Sequence, residues 1–392
     1  YFEDIDNKRK GTKKDGYEDR RFVKTSEDVR DYMLSNGKNV ERIYFADNDV
    51  SPTNWNNGIF AFGEPVPDDL KKPFYSWDGT YVDINRELNN GCFYCLFRGH
   101  GETEQFSSPQ YSISNLSGLT NKDYQPVVFS ICCQTGMFDK DCLAENFLKK
   151  QNGGCVAILA ASHNSFSGYN DAFTYGIFDA IWPTLGLRPI FPNTKPVYKE
   201  RSQPLSIIGK IVEHGFMRVK ESWGYLLGPY QKEVFHIFGD PSMRIRTEVP
   251  TEFTDITVSR DTSCVNVTNL SGGGRIAIYD KSKNKVYFTK KTHISYKCAD
   301  PSMVSVSVTG PNKIPFLDLA NGDEDIFIQN EKLSLSKNIS GKTVKIGSSV
   351  TDGKEKGEVI FEKGKYVISG DKIYIGPGTK ITKESQVKFK NR

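Results

Sequence analysis

The sequence has no run of about 18 apolar residues, the length a helix needs to cross a bilayer, so a membrane span is not expected. It also lacks an excess of one charge. The 52 Lys and Arg stand against 48 Asp and Glu, a net charge of +4 over 392 residues, which excludes the basic footprint of a nucleic-acid binder. Residues 1–25 have no apolar stretch and are crowded with Lys, Arg, Asp and Glu, which excludes a signal peptide there and reads as a chain trimmed before maturity. No closed zinc spacing is present: Cys92-x-x-Cys95 has the ligand gap but sits in the apolar run CFYCLF, with no second CxxC or HxxxH. Sustained repeats and heptads are missing too. What is there is an ordinary globular balance of 37% apolar and 26% charged residues, long enough for about two to three domains, with eight Cys, 25 Phe and 19 Tyr.

From residue 29 helix-like and strand-like pieces alternate. VRDYMLSNG (29–37) reads as a helix stopping at Asn36-Gly37, VERIYFAD (40–47) as a short strand, and 48–80 as a long Pro-bearing loop. A helix over 82–91 leads into CFYCLFRG, and PVVFSICC (126–133) precedes a helix over 142–154 and the run CVAILAAS (155–162). Near-continuous apolar runs are what strands buried on both faces require. The pattern therefore predicts an α/β fold, an open, mostly parallel sheet with helices on both faces. Further helices are expected over 171–182 and 204–224, and a strand after 234. From 252 to 320 short alternating strands separated by Gly, Asn and Asp predict a small antiparallel sandwich. The Lys-rich, Gly-punctuated remainder predicts a small β module. Cys264 and Cys298 are spaced for a bridge within the sandwich, and Cys142 and Cys155 form a second candidate pair.

In an open α/β sheet, reactive groups gather at the carboxyl ends of the strands. One strand ends in Arg98-Gly99-His100-Gly101 and the next in Cys133-Gln134-Thr135-Gly136. That order presents an imidazole and a thiol side by side. The thiolate is the nucleophile, and an adjacent imidazolium favours it. The N–H groups of Gly101 and Cys133 are the natural donors to a tetrahedral oxyanion. His163 reads as a loop residue, and the basic stretch from Lys8 to Lys14 as a solvated loop.

This order, with Ala144-Glu145 on the following helix, Val156-Ala157-Ile158 on the third strand and FGDPSMRIRT (238–247) at the close, resembles the gingipain family of bacterial cysteine peptidases, which have a caspase-like fold. The resemblance covers about residues 29–247. It implies a peptidase domain over 1–247, an immunoglobulin-like sandwich over 248–322 and a β module over 323–392. It implies His100 as the catalytic histidine and Cys133, within Cys-x-x-Gly, as the nucleophile. Cys132 is the competing thiol, placed on the opposite face by the two-residue period of a strand. A supporting acid is implied near Glu3 or Asp4, and a substrate-binding wall at Ser162, Phe166 and Ser167. The family's acid for basic side chains lies just before the first helix, where Val23 and Lys24 align; Asp19, with Glu18, is the nearest acidic position. The family's first central strand is not evident, which points to a companion N-terminal fragment produced by processing.

The resemblance implies a secreted or cell-surface cysteine endopeptidase, made as a zymogen, acting on protein or peptide substrates. No cofactor is required, although acidic loops leave room for a structural Ca²⁺. A sortase-like transpeptidase on the same fold, or a non-catalytic surface adhesin, are the alternatives.

Overall fold

Three apolar runs become the centre of a four-stranded sheet: β1 (Tyr94–Arg98), β2 (Val127–Ile131), β3 (Ala157–Ala161) and β4 (Phe235–Phe238), side by side in that order. The first three are parallel, and β4 runs antiparallel to β3. The computed structural model describes residues 1–5, 14–57, 62–183, 203–224, 228–270, 272–320, 325–334 and 337–391; of the basic stretch from Lys8 to Lys14, all but Lys14 lies outside them. The chain divides into two units, Tyr1–Thr247 and Glu248–Arg392.

Alternation along each strand divides the core of the first unit in two. Val127, Phe129 and Ile131 of β2 and Ala157, Leu159 and Ala161 of β3 face α1 (Phe22–Ser35), α4 (Ser167–Ile181) and α5 (Ile208–Trp223). Val128, Ile158 and Ala160 point the other way, with Cys132, onto Leu88 of α2 (Tyr81–Asn90) and Leu143 and Phe147 of α3 (Leu143–Lys149). Both faces of β2 are thus removed from water, which is why its sequence is apolar but for Ser130, whose hydroxyl is hydrogen-bonded to Thr135 Oγ1 at 2.7 Å.

The first helix starts seven residues before the periodic reading placed it, because its opening turns are held by polar contacts. Glu18 Oε1 accepts from the Val23 and Lys24 N–H groups at 2.8 and 3.4 Å, and buried Glu27 is paired by Arg42 at 2.6 Å and Tyr44 Oη at 2.5 Å. A charge on a buried face breaks the apolar period unless its partner is known. The strand expected over 40–47 does not form. Its Phe45 and Ala46 make only isolated bridges, with Asp78 and Phe2. Tyr44 instead stacks on Trp77, in a separate small core with Phe2 and Trp55. The polar opening segment therefore contributes a fully buried Phe2.

In the second unit, the sheet Ile256–Arg260, Cys264–Asn269, His293–Lys297 shares one apolar core with the sheet Lys285–Thr289, Arg275–Asp280, Val304–Thr309, Phe316–Asp318. This is a β-sandwich with two strands, His293–Lys297 and Phe316–Asp318, more than the sequence suggested. A Cys264–Cys298 bridge does not form. Cys264 lies opposite Lys297, so the next residue, Cys298, points to the other side, into the core. All eight cysteines are free thiols, Cys142 and Cys155 included. Beyond the sandwich, strands alternate between two parallel sheets. One holds Ile326–Ile328, Lys337–Ile346, Gly364–Ile375 and Ser385–Asn391; the other holds Glu331–Leu333, Val359–Phe361 and Thr379–Ile381. Val344, Ile346, Phe361 and Ile368 fill the space between them.

Candidate active site

Arg98 faces Ile131 across the parallel register of β1 and β2, so the residues two places beyond each strand end, His100 and Cys133, leave the sheet at the same level. Close packing follows. A β-carbon on Gly101 would stand 2.5 Å from the Cys132 sulfur and 2.7 Å from the Cys133 carbonyl oxygen, so only glycine lets the histidine loop lie against the cysteine loop.

The cysteine loop turns sharply. Gln134 adopts φ +59°, a left-handed conformation that costs a side-chain-bearing residue energy, and Thr135 N–H donates back to the Cys133 carbonyl at 2.8 Å. Contacts to the segment after β3 hold the turn: Gln134 N–H donates to His163 O at 3.2 Å, and its side-chain amide donates to Asn164 Oδ1 at 2.9 Å. Gly136 is hemmed in as well, since a β-carbon there would lie 2.8 Å from the Phe238 ring.

The two adjacent thiols differ in environment. Cys132 is buried beside Ser130 and Thr135, and burial pushes its thiol up to about 12. Cys133 is half-buried; its S–H donates to Ser165 O at 3.5 Å, and Ser165 N–H donates to its sulfur at 3.3 Å.

His100 Nε2 is hydrogen-bonded to Glu3 Oε2, while Glu3 Oε1 accepts from Arg20 Nε at 3.3 Å. Burial alone would raise the Glu3 carboxyl, but His100 and Arg20 together hold it below its ordinary value. A carboxylate on Nε2 places the neutral imidazole's lone pair on Nδ1. The structure thus brings Glu3 to His100, whereas Asp4 accepts from the Gly16 N–H at 2.8 Å in a turn of its own.

Beneath the histidine, Arg98 is buried. It donates to Ile131 O at 2.9 Å and to Ser167 O at 3.4 Å, and it pairs with Asp171 of α4. Its guanidinium lies 5.2 Å from the Phe22 ring centroid, and the Phe22 ring meets His100 edge-on. One side chain thus ties β1, β2 and α4 together below the site. Sequence reading passed over this pair because Arg98 and Asp171 are 73 positions apart.

The residues implied as a substrate wall are spread out. Phe166 is 45% exposed, its ring beside Tyr169 and Tyr230, next to the Ser165 that touches Cys133. Ser167 opens α4. Ser162 is turned toward β4, where it meets His236 Nε2 at 3.0 Å. Asp19 Oδ2 accepts from the Ile5 N–H at 2.9 Å, and Glu18 is the fully buried acid, with burial pushing it up to about 8. Among the described residues, no group of three or more His, Cys, Asp or Glu could hold a metal ion, and no helix is long and apolar enough to cross a membrane.

Residues 6–246 match peptidase family C25. The chain is 23% identical to gingipain R2 of Porphyromonas gingivalis over 288 residues, which are 69% of this chain and 36% of that protein. It is 23% identical to Lys-gingipain W83 of Porphyromonas gingivalis over 212 residues, 48% of this chain and 12% of that protein. The chain thus spans little more than a third of these relatives' length at most. Among solved structures, the Arg-specific cysteine proteinase gingipain R superposes with a TM-score of 0.52 at 17% identity, covering 75% of this chain and 61% of that one. That likeness shows the caspase-like fold.

Proposed function

This chain belongs to peptidase family C25, and from that premise we propose that it is a cysteine endopeptidase working through Cys133 and His100. The observation that carries the reading is the shared exit of these two residues from in-register parallel strands, with Glu3 on the far nitrogen of the imidazole. The Cys133 proton passes to His100 Nδ1 and leaves the electron pair on sulfur. The thiolate attacks the scissile carbonyl, and the N–H groups of Gly101 and Cys133 receive the oxyanion. His100 then protonates the leaving amine, and water hydrolyses the thioester. Glu3 fixes the imidazole's tautomer and stabilises the imidazolium. Phe166 and Ser167 form one wall of the substrate cleft. The reading includes a location outside the cell or on its surface, checked by cell fractionation.

A fluorogenic peptide library with the residue before the scissile bond varied tests activity and preference together. Turnover that survives His100→Ala undiminished would overturn the pair. An acyloxymethyl-ketone probe should label the wild type and Cys132→Ala but not Cys133→Ala.

A further inference from the structure

The Cys133 sulfur is met by Ser165 in two ways, through the backbone N–H at 3.3 Å and through Oγ at 3.8 Å. That hydroxyl is directed by its neighbours. Buried Asn170 donates Nδ2–H to Ser165 Oγ at 2.8 Å, and its Oδ1 accepts from buried Gln231 Nε2 at 2.5 Å. An oxygen that already accepts from an amide is left to donate its own hydrogen elsewhere, and the sulfur is the remaining neighbour. The opposite polarity, with both amides turned over, would strand the Gln231 NH₂ without a partner in place of the single oxygen that lacks one now. A buried donor left unpaired is rarer than an under-satisfied carbonyl, so the observed direction is favoured.

We propose that Ser165 is a second catalytic residue, whose N–H and hydroxyl together stabilise the Cys133 thiolate, and that Asn170 and Gln231 are positioning residues that aim the hydroxyl. The inference rests on the peptidase reading of Cys133 and His100. When the Cys133 S–H bond breaks, its electron pair stays on sulfur and the proton goes to His100 Nδ1; no other reactant is needed. In the resting thiol the S–H points at Ser165 O, so the same residue holds the sulfur in both protonation states. Hydrogen bonds to a charged acceptor are the stronger kind, so the hydroxyl favours the thiolate over the thiol.

The test measures the rate of iodoacetamide alkylation of Cys133 against pH, by mass spectrometry in a Cys132→Ala background, with thermal melting of each variant as the check on folding. Ser165→Ala should raise the midpoint by about one pH unit and slow alkylation below it about tenfold, the equivalence of one unit in a thiol's ionisation. Ser165→Thr, which keeps the hydroxyl, should retain the parent profile. Asn170→Leu should shift the midpoint in the same direction by less, an effect that loss of packing alone would not produce. If Ser165→Ala and Asn170→Leu superimpose on the parent while His100→Ala alters the profile, the role of Ser165 is wrong and the peptidase reading stands. If His100→Ala leaves the profile unchanged as well, the Cys133–His100 pair itself fails, and the inference falls with it.

Discussion

Both units of this chain contain parallel strands, joined in opposite ways. In Tyr1–Thr247, long crossovers connect the strands, one through a small three-stranded sheet over 101–112 and the others through helices; helices cover both faces of the central sheet, and loops are left at the strand ends. Beyond the sandwich in Glu248–Arg392, successive strands alternate between two parallel sheets, so one sheet buries the other and the connections, apart from 347–358, stay short. The first arrangement brings Ser165 onto Cys133 at one edge, with His100 leaving the neighbouring strand at the same level. Among its described residues the second has no α-helix between strands. A parallel sheet thus becomes a candidate site through its crossovers, since long crossovers bring distant residues to one place.

The contrast is broken most directly at Cys133. Cys133→Ala should reduce peptide hydrolysis by about a thousand-fold or more, whereas Cys132→Ala one position earlier should leave turnover within about twofold, both read from initial rates. Equal losses would remove the distinction between the edge and the core of the first unit. Core truncations come next. Phe129→Ala in β2 should cost about 3–5 kcal/mol and Ile368→Ala in the parallel stack about 2–5 kcal/mol. Calorimetry should show the first lowering the transition that carries activity, and the second lowering another transition while hydrolysis continues. Glu3→Gln should lower turnover at least about ten- to hundredfold with little change in folding, the scale seen when the partner orienting a metal-bound histidine is lost.

The smallest effect separates two buried carboxyls of the first unit by sign. Glu3 is held below its ordinary value of 4.5, so its contribution to stability is present above that pH and is lost as pH falls through the lowered folded value. Glu18 is pushed from 4.5 up to about 8, so it opposes folding increasingly as pH rises between those limits. Glu18→Gln should therefore raise the melting temperature by a few degrees near pH 7 and leave it unchanged below pH 4. A melting temperature that falls at pH 7 would show that Glu18 is ionised and paired in the folded chain.

Much of the first unit was legible because its central strands are apolar almost throughout and α1, α2 and α5 stop at Asn36, Gly91 and Gly224. The two loops Gly-His-Gly and Cys-x-x-Gly were legible for a related reason, since the glycines mark backbone that must come close. The start of α1 was hidden, because Glu27 is buried against Arg42 and Tyr44, partners that lie beyond the helix. The absent strand at 40–47 was misread because alternation cannot tell a sheet strand from an extended segment packed on Trp77. The parallel stack looked like a thin module, because its pairing joins residues roughly 20 to 30 positions apart without a repeating motif.

What the sequence determined by itself was the order of strands and helices, the apolar core and the two loops that bear a histidine and a cysteine, because these depend on local period and backbone freedom. Tertiary structure alone decided which carboxylate meets His100, which of two adjacent thiols is sealed in the core, and that Ser165 reaches the sulfur. Those outcomes depend on register and burial. Glu3 lies 97 positions from His100, and no local pattern records a contact that only the assembled sheet and its crossovers create.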